Sequence, residues 1–258
     1  MKCKILKIIS LCLALITILS IPSFAADAKF NQNIAVEEQL EQINANSNDG
    51  LDNTISNDDI AEPDKQEDST LDFDEASGDT IVGKMYICTQ QVGLGHAWIY
   101  IESNFNGDMP VGCYTLKPYQ GVSMGTFCFS RSDGPGLYYN IESYCGNKYG
   151  LKNKSWLGMD ITKTQLLKIS KRIKQWNYWD LYFNCTFFAA EIWNCVAKKK
   201  IVPILFPFFV KWQILAHGGN KDIVMKDVAP TDCYKQKGVA GNVRIEQVSE
   251  KSLDSKLL

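Results

Sequence analysis

Two short stretches hold the residue types that covalent chemistry needs. Gly95-His96-Ala97-Trp98-Ile99-Tyr100-Ile101-Glu102 reads as a strand opening on a histidine. Asn184-Cys185-Thr186-Phe187-Phe188-Ala189-Ala190-Glu191-Ile192-Trp193-Asn194 reads as a helix opening on a cysteine. A thiol at a helix N-terminus and an imidazole at a strand start are the two parts of a cysteine nucleophile with its base. The chain has only two histidines, His96 and His217, so few other pairings exist.

The elements that must position this pair can be read from spacing. Asn184 is a good N-cap, because its side-chain oxygen can accept an orphan backbone N–H. Cys185 then takes the first helical position, where the macrodipole favours an anion. Cys185, Phe188, Ala189, Ile192, Cys195 and Val196 recur at helical spacing and form one apolar stripe, with Thr186, Glu191 and Asn194 outside it. Alternation puts His96, Trp98 and Tyr100 on one strand face and Ala97, Ile99 and Ile101 on the other. Both faces are apolar, so the strand is expected to be central. If the helix packs on the His96 face, the imidazole reaches the thiol. The bland alternative stays open on spacing alone. A cysteine at a helix start is usually a small buried hydrophobe, and a strand histidine is usually a satisfied core residue. Cys195 reads as core, and His217, before Gly218-Gly219, as a helix C-terminal residue.

Around these motifs the first half looks β-rich. Strands are expected at 81–89, 96–102, 111–116, 121–130 and 136–143, with Gly, Asn and Asp between them. The second half reads as helical. Thr162 and Gln165 fit a capping box, followed by Leu166, Ile169, Ile173 and Trp176 at helical spacing. A further helix is expected from Pro207 to about Ala216, and the tail from about Glu246 reads as polar and frayed.

The chain's ends and charge bound its setting. Lys2, Lys4 and Lys7, an apolar run over 8–21 and Ser23-Phe24-Ala25 form a secretory signal peptide, residues 1–25; an uncleaved anchor is the less favoured alternative. Residues 26–80 contain 16 Asp or Glu against Lys29 and Lys65, and read as an acidic disordered segment. Residues 81–258 form the domain, about nine charges positive. The acidic segment reads either as a solvated stalk or as a mask folded over the basic domain. Outside the cell a positive domain would attract anionic envelope polymers or lipid head groups, whereas nucleic acid fits poorly. The most apolar later run, 201–210, is too short and too proline-rich to span a bilayer and is expected to pack on the core or line a groove. Seven cysteines lie beyond the signal, an odd number that leaves at least one thiol outside any intrachain disulfide. No CxxC pair occurs and histidine is scarce, so neither a metal nor another cofactor is expected.

The order Gly-His-Ala-Trp-Ile-Tyr, further strands, then Asn-Cys-Thr-Phe-Phe-Ala resembles the circularly permuted branch of the NlpC/P60 papain-like superfamily, which includes the YiiX-like and lecithin retinol acyltransferase-like proteins. The resemblance covers roughly Ile81 to Val196. It implies an α+β, papain-like fold in which an antiparallel sheet packs against the cysteine helix and further helices. It implies Cys185 as nucleophile, His96 as base, and a third polar residue on a strand after the histidine. Glu142 is favoured there over Asn140, with Thr115 on a nearer strand. The implied activity is that of a secreted cysteine hydrolase, a thiol protease or amidase, attacking an amide or ester carbonyl through an acyl-enzyme. A cell-wall peptide is the first substrate guess, and lipid acyl transfer or lipolysis stays open. The alternative is a catalytically silent envelope-binding or structural domain of the same fold.

Overall fold

The computed structural model describes residues 73–253, except 92–94, 129–131, 151–153, 177, 182–183 and 239–241. The signal peptide and the acidic segment up to residue 72 lie outside the described residues.

The fold is mixed α+β, built on a large antiparallel sheet. Ten strands occur among the described residues: β1 (Ile81–Gln90), β2 (His96–Ser103), β3 (Met109–Val111), β4 (Tyr114–Leu116), β5 (Gly121–Phe127), β6 (Gly136–Tyr139), β7 (Lys154–Thr162), β8 (Asn220–Lys221), β9 (Tyr234–Lys237) and β10 (Arg244–Gln247). Eight of them form one sheet in the order β10-β9-β6-β5-β2-β1-β7-β8, while β3 and β4 make a separate hairpin. The helices are α1 (Ile141–Tyr149), α2 (Lys163–Gln175), α3 (Cys185–Asn194), α4 (Pro207–Ala216) and α5 (Glu250–Leu253).

Both faces of the sheet's centre are covered, as the apolar character of β2 predicts. Ala97, Ile99 and Ile101 join Met85, Ile87 and Met124 in the main core, beneath α2, α3 and α4. The opposite face is closed in two patches. Trp98, Tyr100 and Cys88 pack under Ile223 and Met225, and Phe127 and Tyr138 pack with Ile141, Cys233, Val248 and Leu253.

The helices start where their local chemistry says they should. Thr162 Oγ1 accepts the Gln165 N–H at 3.3 Å and Gln165 Oε1 accepts the Thr162 N–H at 3.0 Å, closing the capping box. Leu166, Ile169, Ile173 and Trp176 are buried from α2. Helix α4 begins with Pro207 at its first position and ends at His217.

Several expectations are corrected. The 136–143 strand stops at Tyr139, because Asn140 takes a left-handed conformation (φ 68°) and α1 follows. Stretch 111–116 is two strands of a hairpin turning at Gly112-Cys113. The second half is not purely helical: β7 pairs with β1 along its length, and β9 and β10 extend the other edge. The tail does not fray at Glu246, since Val248 and Leu253 are buried. The packed domain begins by Phe73 rather than Ile81. Phe73 meets Phe105 edge-on at 5.7 Å, and Lys163 Nζ donates to the carbonyls of Asp74 and Ala76. One buried aromatic and a captured backbone outweigh the acidic composition of those last residues.

Candidate active site

Helix α3 presents Cys185 through two effects of unequal size. Phe188, Ala189 and Ile192 are fully buried in the main core. Each large apolar side chain so buried contributes about 1.5–3 kcal/mol, which fixes the helix on the sheet. The cap contributes less but sets the first turn. Asn184 Oδ1 accepts the Thr186 N–H at 2.9 Å, and Asn184 Nδ2 donates to Leu205 O at 2.8 Å and to Leu181 O at 3.3 Å. The Thr186 hydroxyl lies 2.7 Å from Asn184 Oδ1 and 2.5 Å from Ile204 O. One amide thus ties the cysteine end of α3 to the chain on both sides. Asn184→Ala is expected to cost about 1–2 kcal/mol, read from urea unfolding; an unchanged midpoint would show that the cap holds nothing. Cys185 itself is a free, half-buried thiol.

His96 opens β2 and is buried, with its ring stacked on Phe127 at 4.5 Å and on Trp98 at 5.8 Å. Its Nε2 lies 2.9 Å from Glu142 Oε1. The Cys185 side chain lies within hydrogen-bonding range of the same ring. Burial alone would push the imidazole down. The charge and hydrogen bond of Cys185, then those of Glu142, outweigh burial and lift it from 6.5 to about 9. Both Cys185 and Glu142 thus favour the charged form of the ring.

The helix does not pack on the His96 face. Helix α3 sits over Ala97 and Ile99, whereas His96 shares its face with Trp98. The two side chains meet because both lie at the ends of their elements, where β2 begins and α3 begins.

Glu142 is fully buried in the first turn of α1, not on a strand. A carboxylate there sits at the positive end of the helix. Its Oε2 accepts the Ser123 hydroxyl at 2.9 Å, and Ser123 Oγ accepts the Ser143 N–H at 3.1 Å. Asn140 anchors the turn that places it: its N–H donates to Ser123 O at 2.7 Å, and its Oδ1 accepts the Ser123 N–H at 3.2 Å. Its Nδ2 donates to Asp232 O at 2.9 Å. Asn is among the few non-glycine residues that take the left-handed region readily, which suits it to this buried corner. Of the two polar residues expected to compete for the ring, Glu142 meets it and Asn140 holds Glu142's turn. Thr115 is exposed on the β3–β4 hairpin, outside this cluster.

Two contributors lack any flag in the sequence reading. Ser123 lies on the stretch 121–130, read only as a strand. Gly125 lies two residues on, and a Cβ there would fall 2.0 Å from Glu142 Oε1 and 2.7 Å from His96 Nε2. A glycine inside a strand pattern is the available signal, since it marks a close approach.

No protein family, curated protein or solved structure matches this chain, so its chemistry has to be read from geometry. A cavity of about 410 Å³ lies elsewhere, lined among others by Cys113, Tyr114, Lys117, Asp232 and Tyr234. None of the Cys185, His96 and Glu142 side chains borders it, and it holds no thiol paired with a base. Among the described residues no helix is long and apolar enough to cross a membrane. His217 caps the end of α4, with Nε2 3.0 Å from Lys200 O, and Cys195 is half-buried, its thiol pushed up by burial.

Proposed function

We propose that Cys185, His96 and Glu142 form the catalytic triad of a secreted cysteine hydrolase with a permuted papain-like fold. The observation that carries this reading is one ring with two neighbours: His96 Nε2 meets the Glu142 carboxylate, and the Cys185 side chain lies within hydrogen-bonding range of the same imidazole. A silent domain has no need of a buried carboxylate bonded to a histidine that lies beside a free thiol.

The steps follow from the atoms present. The Cys185 sulfur attacks the carbonyl carbon of an amide or ester and forms a thioester bond. Imidazolium His96 gives its proton to the departing amine or alkoxide as the carbonyl–heteroatom bond breaks. Water, deprotonated by the neutral ring, then cleaves the thioester and restores the thiol–imidazole pair. Glu142 holds the ring in plane and offsets its charge. The Cys185 N–H at the start of α3 is placed to donate to the oxyanion. The substrate class is an envelope peptide or ester, in keeping with the secretory leader and the positive domain.

Iodoacetamide labelling tests this reading. At pH 6, Cys185 is expected to alkylate about tenfold or more faster than Cys113, Cys128 and Cys195, and His96→Ala is expected to erase the difference. Equal, slow labelling of all thiols would sink the enzyme reading.

A further inference from the structure

Helix α4 buries one face and leaves the other without cover. Pro207, Val210 and Ile214 point into the core. Phe208, Phe209, Trp212 and Leu215 stand in solvent, with Trp212 64% exposed, and Phe206 and Val202 extend the patch along the preceding segment. Phe208 packs edge-on against Phe209 at 5.5 Å and against Trp212 at 5.8 Å, so the rings form one raised surface. An exposed aromatic cluster of this kind marks an interaction face rather than scattered surface apolarity.

The charge around it selects the partner. From Ile192 to Lys221 the chain carries Lys198, Lys199, Lys200, Lys211 and Lys221, and no Asp or Glu. Three of these lysines precede the patch directly and are exposed. Aromatic rings set among lysines, with acids only at the flanks of the segment, Glu191 (paired with Arg172) and Asp222, complement an anionic bilayer surface: the rings enter the head-group boundary and the ammonium groups meet the phosphates. A protein partner binding chiefly through apolar contact would not need the lysines or the missing acids.

The patch also adjoins the thiol. Pro207 packs against Gly95, the residue before His96; a Cβ on Gly95 would lie 3.1 Å from the proline ring. Leu205 and Leu181 both give their carbonyls to Asn184, the cap of the cysteine helix, and Leu181 is 61% exposed. The start of α4 therefore lies beside the starts of β2 and α3.

We infer that the exposed face of α4 docks the protein on an anionic lipid surface. The docking goes beyond the hydrolase reading and does not depend on it, because it uses none of the three site residues.

Sedimentation of the full chain with lipid vesicles decides the matter. Vesicles of phosphatidylglycerol and phosphatidylcholine in equal parts are expected to carry the protein down. Pure phosphatidylcholine vesicles are expected to bind about tenfold or more weakly, and about 0.5 M salt is expected to weaken binding to the mixed vesicles. Phe208→Ser with Trp212→Ser should weaken binding at least tenfold, and Lys198→Gln with Lys211→Gln should reduce its salt dependence. Trp212→Phe keeps the apolar face, so it should still bind while losing quenching of tryptophan emission by brominated lipid. Cys185→Ala should sediment like the unaltered chain, which separates this inference from the thiol chemistry. A full chain that fails to sediment with anionic vesicles, or a Phe208→Ser/Trp212→Ser chain that sediments unchanged, overturns the proposal.

Discussion

Replacing Gly125 by alanine is expected to slow alkylation of Cys185 about 10–100-fold while the protein still unfolds cooperatively. The added methyl would sit 2.0 Å from Glu142 Oε1 and 2.7 Å from His96 Nε2, closer than real Cβ contacts come. Something must move, and the carboxylate has little freedom to do so. Its other oxygen is held by Ser123, and the helix that carries it starts at Asn140, which is bonded twice to Ser123. Strand β5 cannot retreat either, because it is paired on both sides, with β2 and β6. The strain therefore falls on the contact between carboxylate and ring. Overpacking of this kind costs about 1–3 kcal/mol, and that amount placed on the contact that orients His96 is about 10–100-fold in the rate of thiol alkylation. Labelling at the unaltered rate, in a variant with intact circular dichroism, would mean that Glu142 does not orient His96.

Raising the pH from 6 to 8.5 is expected to remove about 2–3 kcal/mol of stability, traceable to His96. Its folded value, about 9, lies above the ordinary 6.5. A group raised in this way stabilises the fold fully below about 6.5 and loses that contribution as pH climbs toward 9, at about 1.4 kcal/mol per unit. The upper limit of the window matters. Cys88, Cys113 and Cys195 are also pushed up by burial, so their unfolded thiols ionise first near 9 and lower stability there too. Urea midpoints taken below pH 8.5 isolate the imidazole. Cys185→Ala and Glu142→Gln should each flatten the slope, because both partners push the ring up. A wild-type slope no steeper than that of His96→Ala would show that the ring is not held as a cation. The Glu142→Gln chain carries its own cost, since it leaves the His96 charge buried with one partner fewer.

Some of this molecule is legible in its residues alone, wherever the deciding contacts are local. The Thr162–Gln165 box, the Asn184 cap and the Pro207 start need only three or four residues of context, and all three open helices where expected. The same holds for the covered strand at His96, because an alternation apolar on both sides leaves a strand no exposed face. The histidine stands out by scarcity and the cysteine by its place at a helix start, neither through any tertiary fact.

What alternation could not reach is decided by the backbone at one residue and by packing at long range. Asn140 and Glu142 look like neighbours on one strand face only while the strand continues. A left-handed turn at Asn140 ends it and swings Glu142 into the first turn of α1, 46 residues from the ring it meets. A positive φ at a non-glycine residue leaves no periodic trace. Likewise, period 2 tells which residues share a face but not which face a helix will cover. Helix α3 took the Ala97 face, and the thiol reached the imidazole around the end of the strand instead of across it. Ser123 and Gly125 acquire their roles only then, because a hydroxyl and a missing Cβ matter only once the carboxylate beside them is in place. Sequence determined that this chain has a thiol and an imidazole at element ends; the tertiary structure alone decided that a buried carboxylate meets the imidazole, since that contact depends on where distant strands pair.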